Sequence, residues 1–209
     1  MNRITWCKFI LLMTDLLVLF SSLFIAYDVL DIARNGHFYF PLEEFDIYVL
    51  IHACISIVGV LWFWIRLRHY TYRKPFWFEL KEIFRTLVIL FIIELAIVAF
   101  SRLYVSRYFW SVTWCCIFIL LPFARVMVKK LLIKTGMYLK ETIIIGNGRN
   151  AKEVFDALNN EPYLGFDIKL FVTTEDYDSE FIEHIPVMRH NPESVSYTHL
   201  RAHETLANL

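Results

Sequence analysis

The run Thr142-Ile-Ile-Ile-Gly146-Asn-Gly148-Arg-Asn-Ala151 holds residue types that can cradle a phosphate. A short β-branched stretch leads straight into Gly-x-Gly-x-x-Ala. At such a turn the first glycine permits the tight bend and the second lets backbone approach a phosphate. The small third residue packs helix on strand. The N–H groups at the helix start lack intrahelical partners and favour an anion. Gly146, Gly148 and Ala151 are therefore the candidate nucleotide-phosphate residues. A dinucleotide site also wants an acidic residue ending the second strand, to hold the ribose. Here that strand ends Val172-Thr173-Thr174, and Glu175 comes late. The pattern favours a scaffold without a cofactor, or a site for a different nucleotide, over an NAD site.

Two carboxylates, Asp15 and Glu94, lie inside long apolar runs. An ionised carboxylate is costly in hydrocarbon, so each is a functional hypothesis by default. They can equally serve as packing glue against Ser, Thr or Arg partners. With only His52 nearby as a relay group, glue is the expectation. Cys7, Cys54, Cys115 and Cys116 show neither metal-ligand spacing nor a disulfide framework, and read as small buried hydrophobes. No metal site is expected in this chain.

Four long apolar segments precede the glycine turn. The chain is 57% hydrophobic with a mean hydropathy of +0.48, above the roughly 45–50% apolar content of a soluble domain. The excess lies in the first two thirds. Helices are predicted at 8–27, 47–65, 86–104 and 109–128, each near the ~20 residues that cross a bilayer core. The first has a weakly charged start and no small-x-small cleavage site after Ala26, so it reads as an uncleaved span and not a signal peptide. A zero net charge gives no global field for nucleic acid. Pro122 should kink the fourth span.

Short-loop charges orient the spans. Arg66, Arg68, Arg73, Lys74, Lys81 and Arg85 follow span two, and Lys129, Lys130 and Lys134 follow span four. The loop after span one carries Asp28, Asp31, Glu43, Glu44 and Asp46 against Arg34. Both termini are expected in the cytoplasm, although Arg102 and Arg107 run against the rule. Trp62, Trp64, Tyr70, Tyr72, Trp77, Tyr104, Tyr108, Trp110 and Trp114 gather near the span ends and read as interfacial anchors. The basic-aromatic loop 66–82 reads as lying at the interface, with Phe76-Trp-Phe78 dipping into lipid and the basic heads meeting lipid phosphate.

Beyond the bundle, strand 142–145, the glycine turn, a helix over 150–159 and a strand over 166–172 give a partial α/β Rossmann-like segment. The fold class is thus a membrane protein: a four-helix transmembrane bundle over 1–135, then an incomplete Rossmann-like domain over 136–194. Residues 195–209 fit no element. The run Val195-Ser-Tyr-Thr-His-Leu-Arg-Ala-His-Glu-Thr205 resembles the translation of a sequencing-library adapter, and is expected to be non-native, disordered and dispensable. The spacing of His199 and His203 is therefore not taken as a metal pair.

Together, the four spans, the Rossmann-like segment and the run from Trp62 to Arg85 resemble the long-form polyprenyl-phosphate sugar-1-phosphate transferases. The resemblance covers residues 7–194. It implies transfer of galactose-1-phosphate from UDP-galactose to undecaprenyl phosphate at the bacterial cytoplasmic membrane, initiating O-antigen or exopolysaccharide synthesis. A homodimer is expected. In that family the chemistry belongs to a C-terminal domain with an Asp-Glu pair and Mg²⁺. No such motif occurs here, so no catalytic residue is assigned, and the natural protein is expected to continue past residue 194. The alternatives are a non-enzymatic membrane anchor carrying a nucleotide-sensing or dimerising domain, and a transporter subunit.

Overall fold

A computed structural model of the chain describes residues 3–33, 42–101, 106–146, 148–173, 181–182 and 184–189. Residues 195–209, Glu175, Arg102 and Tyr104 lie outside them. The chain forms two compact units, Met1–Leu139 and Lys140–Leu209.

The first unit has four helices: α1 (Arg3–Ala33), α2 (Leu42–Ile65), α3 (Phe76–Phe100) and α4 (Arg107–Lys134). Each is long and apolar enough to cross a membrane. At 1.5 Å per residue, the 31-residue α1 is about 46 Å long and outreaches a ~30 Å hydrocarbon core. α3 begins at Phe76, so Phe76–Arg85, which lacks an uninterrupted apolar run, is helix and not loop. Pro75 stands at its N-cap, where a missing N–H costs little. α4 continues through Pro122 to Lys134.

Each helix buries one stripe. On α4 it is Phe109, Thr113, Ile117, Leu121, Arg125 and Lys129, at steps of four. On α3 it is Glu79, Ile83, Leu87, Leu90 and Glu94. These spacings keep one face inward. α1 packs along α4 and also meets α2, while α3 meets α2 and α4. The core joins Leu11, Val18, Leu19, Ile55, Phe63, Leu87, Trp114, Ile117 and Leu121. α2 and α3 approach closely at Gly59, where a Cβ would lie 2.6 Å from Leu90 Cδ1.

The outward faces are also apolar: Leu17, Phe24, Leu50, Ile92, Phe100, Ile119 and Phe123 are exposed. A protein in water rarely shows so continuous an apolar surface, whereas lipid accepts it. This is a multi-pass membrane unit. The cysteine expectation changes accordingly. Only Cys7 is buried; Cys54 and Cys115 are exposed and Cys116 is intermediate. A small apolar side chain gains as much from lipid as from the bundle interior.

The second unit holds β1 (Lys140–Ile145), α5 (Arg149–Asn159), a 3-10 turn (Pro162–Leu164), β2 (Phe166–Thr173), β3 (Phe181–Ile182) and β4 (Ile185–Arg189). The sheet order is β1-β2-β4-β3. β1, β2 and β4 run parallel, and β3 pairs antiparallel with β4. Ile144, Ala151, Phe171 and Ile182 form the core beneath α5.

Candidate functional site

In the second unit, Gly146 has φ 116, a conformation L side chains rarely adopt. Its N–H donates to Val172 O at 2.7 Å, tying the turn to β2. Ala151 is buried against Ile144 and Phe171, and a Cβ on Gly146 would stand 3.8 Å from the Ala151 Cβ. Both residues thus have packing roles. Gly148 differs: its φ of −77 suits any residue, and a Cβ there would meet nothing within 4 Å. Gly148 is the N-cap of α5, and no side chain caps that helix. Thr173, closing β2, is buried and offers no carboxylate.

The membrane unit contains two buried polar clusters. At the first, Arg125 on α4 grips Asp15 on α1 with two parallel bonds, Nε to Oδ1 at 2.8 Å and Nη2 to Oδ2 at 2.6 Å. Such a fork matches a carboxylate's geometry. Arg125 Nη1 reaches His69 Nδ1 at 2.6 Å and Glu79 Oε1 at 3.3 Å. Its guanidinium lies 4.4 Å from the Phe63 ring centroid, a cation–π contact. Tyr70 donates to Asp15, and Lys129 pairs with Glu79. His69 Nε2 lies 2.7 Å from Glu82, which also takes Lys74 at 2.5 Å.

Burial, helped by the Arg125, Lys74 and Lys129 cations, pushes His69 down to about 2. The ring is therefore neutral. Its Nδ1 accepts from Arg125 and its Nε2–H donates to Glu82, an arrangement assigned from the partners. Burial and the Asp15 charge push Tyr70 up, which keeps its hydroxyl proton available to Asp15.

The second cluster is wholly inside the spans. Tyr48 donates to Glu94 Oε1 at 2.8 Å, and His52 Nδ1 lies 3.0 Å from Oε2. His52 Nε2 donates to the Leu19 carbonyl at 3.1 Å. A carbonyl only accepts, so Nε2 carries a proton. One further proton then satisfies the contact between Nδ1 and Glu94.

Asp15 and Glu94 are thus both partnered. Arg125, the main partner of Asp15, is the residue that sequence reasoning missed. Its signal was a single Arg within the apolar run Phe118–Val128. The 66–82 loop is also only partly interfacial. Trp77 is 73% exposed and Phe78 is exposed, but His69, Tyr70 and Glu79 turn inward to Arg125 and Asp15. Tyr70 and Trp114 are buried core residues and not anchors, because the bundle needs large side chains to fill its interior. Trp62, Trp64, Tyr72 and Tyr108 do face outward. Among the described residues no group of three His, Cys, Asp or Glu side chains is placed to hold a metal ion.

No family model matches the chain. It is 50% identical over 190 residues to an uncharacterized sugar transferase of Haemophilus influenzae, covering 90% of this chain and 40% of that protein. It is 46% identical over 187 residues to the undecaprenyl-phosphate galactose phosphotransferase of Salmonella typhimurium, covering 88% of this chain and 38% of that protein. The chain is thus similar, over most of its own length, to proteins named as sugar and galactose-phosphate transferases. A UDP-galactose-lipid carrier transferase of Erwinia amylovora is 47% identical over 131 residues, 63% of this chain and 28% of that protein. The chain thus spans well under half the length of these sugar transferases, and the similarity falls on their N-terminal part.

Proposed function

We propose that this chain is the membrane and regulatory portion of an enzyme that transfers galactose-1-phosphate from UDP-galactose to undecaprenyl phosphate, initiating O-antigen or exopolysaccharide synthesis. The supporting observation is 46–50% identity over 187–190 residues to named sugar transferases. The bundle supplies the bilayer address that a lipid-linked acceptor requires. Exposed Arg66, Lys81 and Arg85, beside exposed Trp62, Trp64 and Trp77, suit contact with lipid phosphate. The protein is placed in the cytoplasmic membrane with both termini inside, and as a homodimer.

The chemistry belongs to a segment outside the aligned region. The Mg²⁺ that the resemblance implies finds no donor set among the described residues. Asp15, Glu79, Glu82 and Glu94 are each engaged by Arg, Lys, His or Tyr partners. Purified 1–209 in detergent is expected to form no lipid-linked galactose phosphate from UDP-galactose and undecaprenyl phosphate. Measurable turnover would place an active site within these residues and overturn the assignment.

A second reading, a membrane anchor with a nucleotide-sensing or dimerising Rossmann-like domain, draws on the glycine turn. Gly146 and Ala151 serve packing, and the proposed ligand at Gly148 is a uridine nucleotide. Calorimetry of the protein with UDP and with NAD separates the cases. Micromolar NAD binding, about −8 kcal/mol, would refute both the uridine assignment and the scaffold.

A further inference from the structure

α4 ends at Lys134, and Gly136 turns the chain with φ 68. Its N–H donates to Ile133 O at 2.8 Å, and the Tyr138 N–H donates to Leu132 O at 2.9 Å. Beyond this helix cap, three successive carbonyls are each taken by a different side chain. Arg3 donates to Gly136 O. Cys7 Sγ donates to Met137 O at 3.2 Å. Arg73 Nη2 donates to Tyr138 O at 2.5 Å. Arg3 and Cys7 stand four apart on α1 and so share a face. Arg73 comes from the loop between α2 and α3.

Connecting segments run over the surface, where their carbonyls can bond to water. Here the Tyr138 ring is also enclosed. The Arg73 guanidinium lies 4.5 Å from its centroid and Lys129 Nζ 6.0 Å from it. Lys129 in turn pairs with Glu79, which also accepts from Arg125. A contiguous set of packed and bonded groups therefore runs from the Asp15–Arg125 pair to the last residues of the membrane unit.

We propose that Arg3, Cys7 and Arg73 form a latch that holds residues 136–138 on one path at the end of the membrane unit, with the Glu79–Lys129 pair setting that path. Displacement of residues 136–138 is carried to α1 through Arg3 and Cys7. It reaches α3 and α4 through Lys129 and Glu79. The exit segment and this end of the bundle move together.

The test is hydrogen–deuterium exchange of full-length 1–209 in detergent, read over 135–139 and, as reference, over 51–60 of α2. The wild-type exit segment should exchange slowly. Arg3→Gln/Arg73→Gln should speed exchange at 135–139 on the order of tenfold, as expected for lost hydrogen bonds, and leave 51–60 unchanged. Glu79→Gln should speed the same segment. Lys81→Gln, on an exposed residue, should not. Cys7→Ala, which removes one donor and keeps the other two, provides a milder variant and should raise exchange at 135–139 by a smaller factor. Unchanged exchange at 135–139 in the double variant and in Cys7→Ala would overturn the latch. So would an equal rise at 135–139 and 51–60, which marks general loosening of the bundle.

Discussion

Arg125 answers three acceptors from three parts of the chain: Asp15 on α1, His69 in the loop and Glu79 on α3. Replacing it with an apolar residue strands the Asp15 charge inside the bundle. Breaking one side of a buried pair costs about 3–5 kcal/mol. Arg125→Met should therefore lower the melting temperature in detergent sharply. Asp15→Leu/Arg125→Met should recover much of that loss, since a buried pair can be replaced by apolar groups at little cost. A double variant no more stable than Arg125→Met would show that the charge on Asp15 is not the cause. His69 adds a pH dependence. Its ordinary value is near 6.5 and its folded value is about 2. Above 6.5 neither state binds this proton. Below it the unfolded chain does and the folded one does not, so stability falls as pH drops from 6.5 toward 2. The slope is at most about 1.4 kcal/mol per pH unit. Melts at pH 7 and 5.5 should show that loss in wild type, and His69→Asn should flatten it. An equal slope in the variant would assign the effect to other groups.

At the scale of the element, the glycine turn divides into two kinds of glycine. Gly146, at φ 116, admits a side chain only with backbone strain of about 1–3 kcal/mol. Gly148, with an ordinary φ and open space about it, accepts a Cβ freely. Gly146→Ala should lower the melting temperature of the second unit, whereas Gly148→Ala should leave it within error. A Gly148→Ala protein that loses stability would mean that a neighbour crowds the turn. β1, α5 and β2 lie within two residues of the segments read from sequence, because β-branched runs and a glycine break are local signals. The two-residue β3 and Pro186-containing β4 carry no such signal and exist by pairing with each other and with β2. The start of α3 was illegible for a related reason. Phe76–Arg85 mixes charge with aromatics, and its helical turns are stabilised by burying Glu79 and Ile83.

For the whole molecule, four helices with apolar outer faces need a bilayer, and the remaining choice is orientation. The Lys and Arg bias predicts that both ends of the membrane unit face the cytoplasm. In a background with Cys7 replaced by Ser and Cys54, Cys115 and Cys116 by Ala, a cysteine at Asn35 should react with an impermeant thiol reagent added outside intact cells. One at Lys140 should not. The reverse pattern would invert the topology.

The number of spans, the order of bundle and sheet, and the relation to sugar transferases were all legible along the chain. Apolar run length, glycine punctuation and a local basic-aromatic motif each depend on residues near in sequence. Which charges meet was not legible. Asp15 and Arg125 are 110 residues apart, and Tyr48 and Glu94 are 46 apart. Composition marks each as costly in lipid but names no partner. Only the packing of α1 on α4 decides that Arg125 neutralises Asp15, and only that of α2 on α3 decides that Glu94 accepts from Tyr48. The same packing turns His69 and Tyr70 inward and leaves Trp77 outside, a division that the mixed 66–82 run could not reveal.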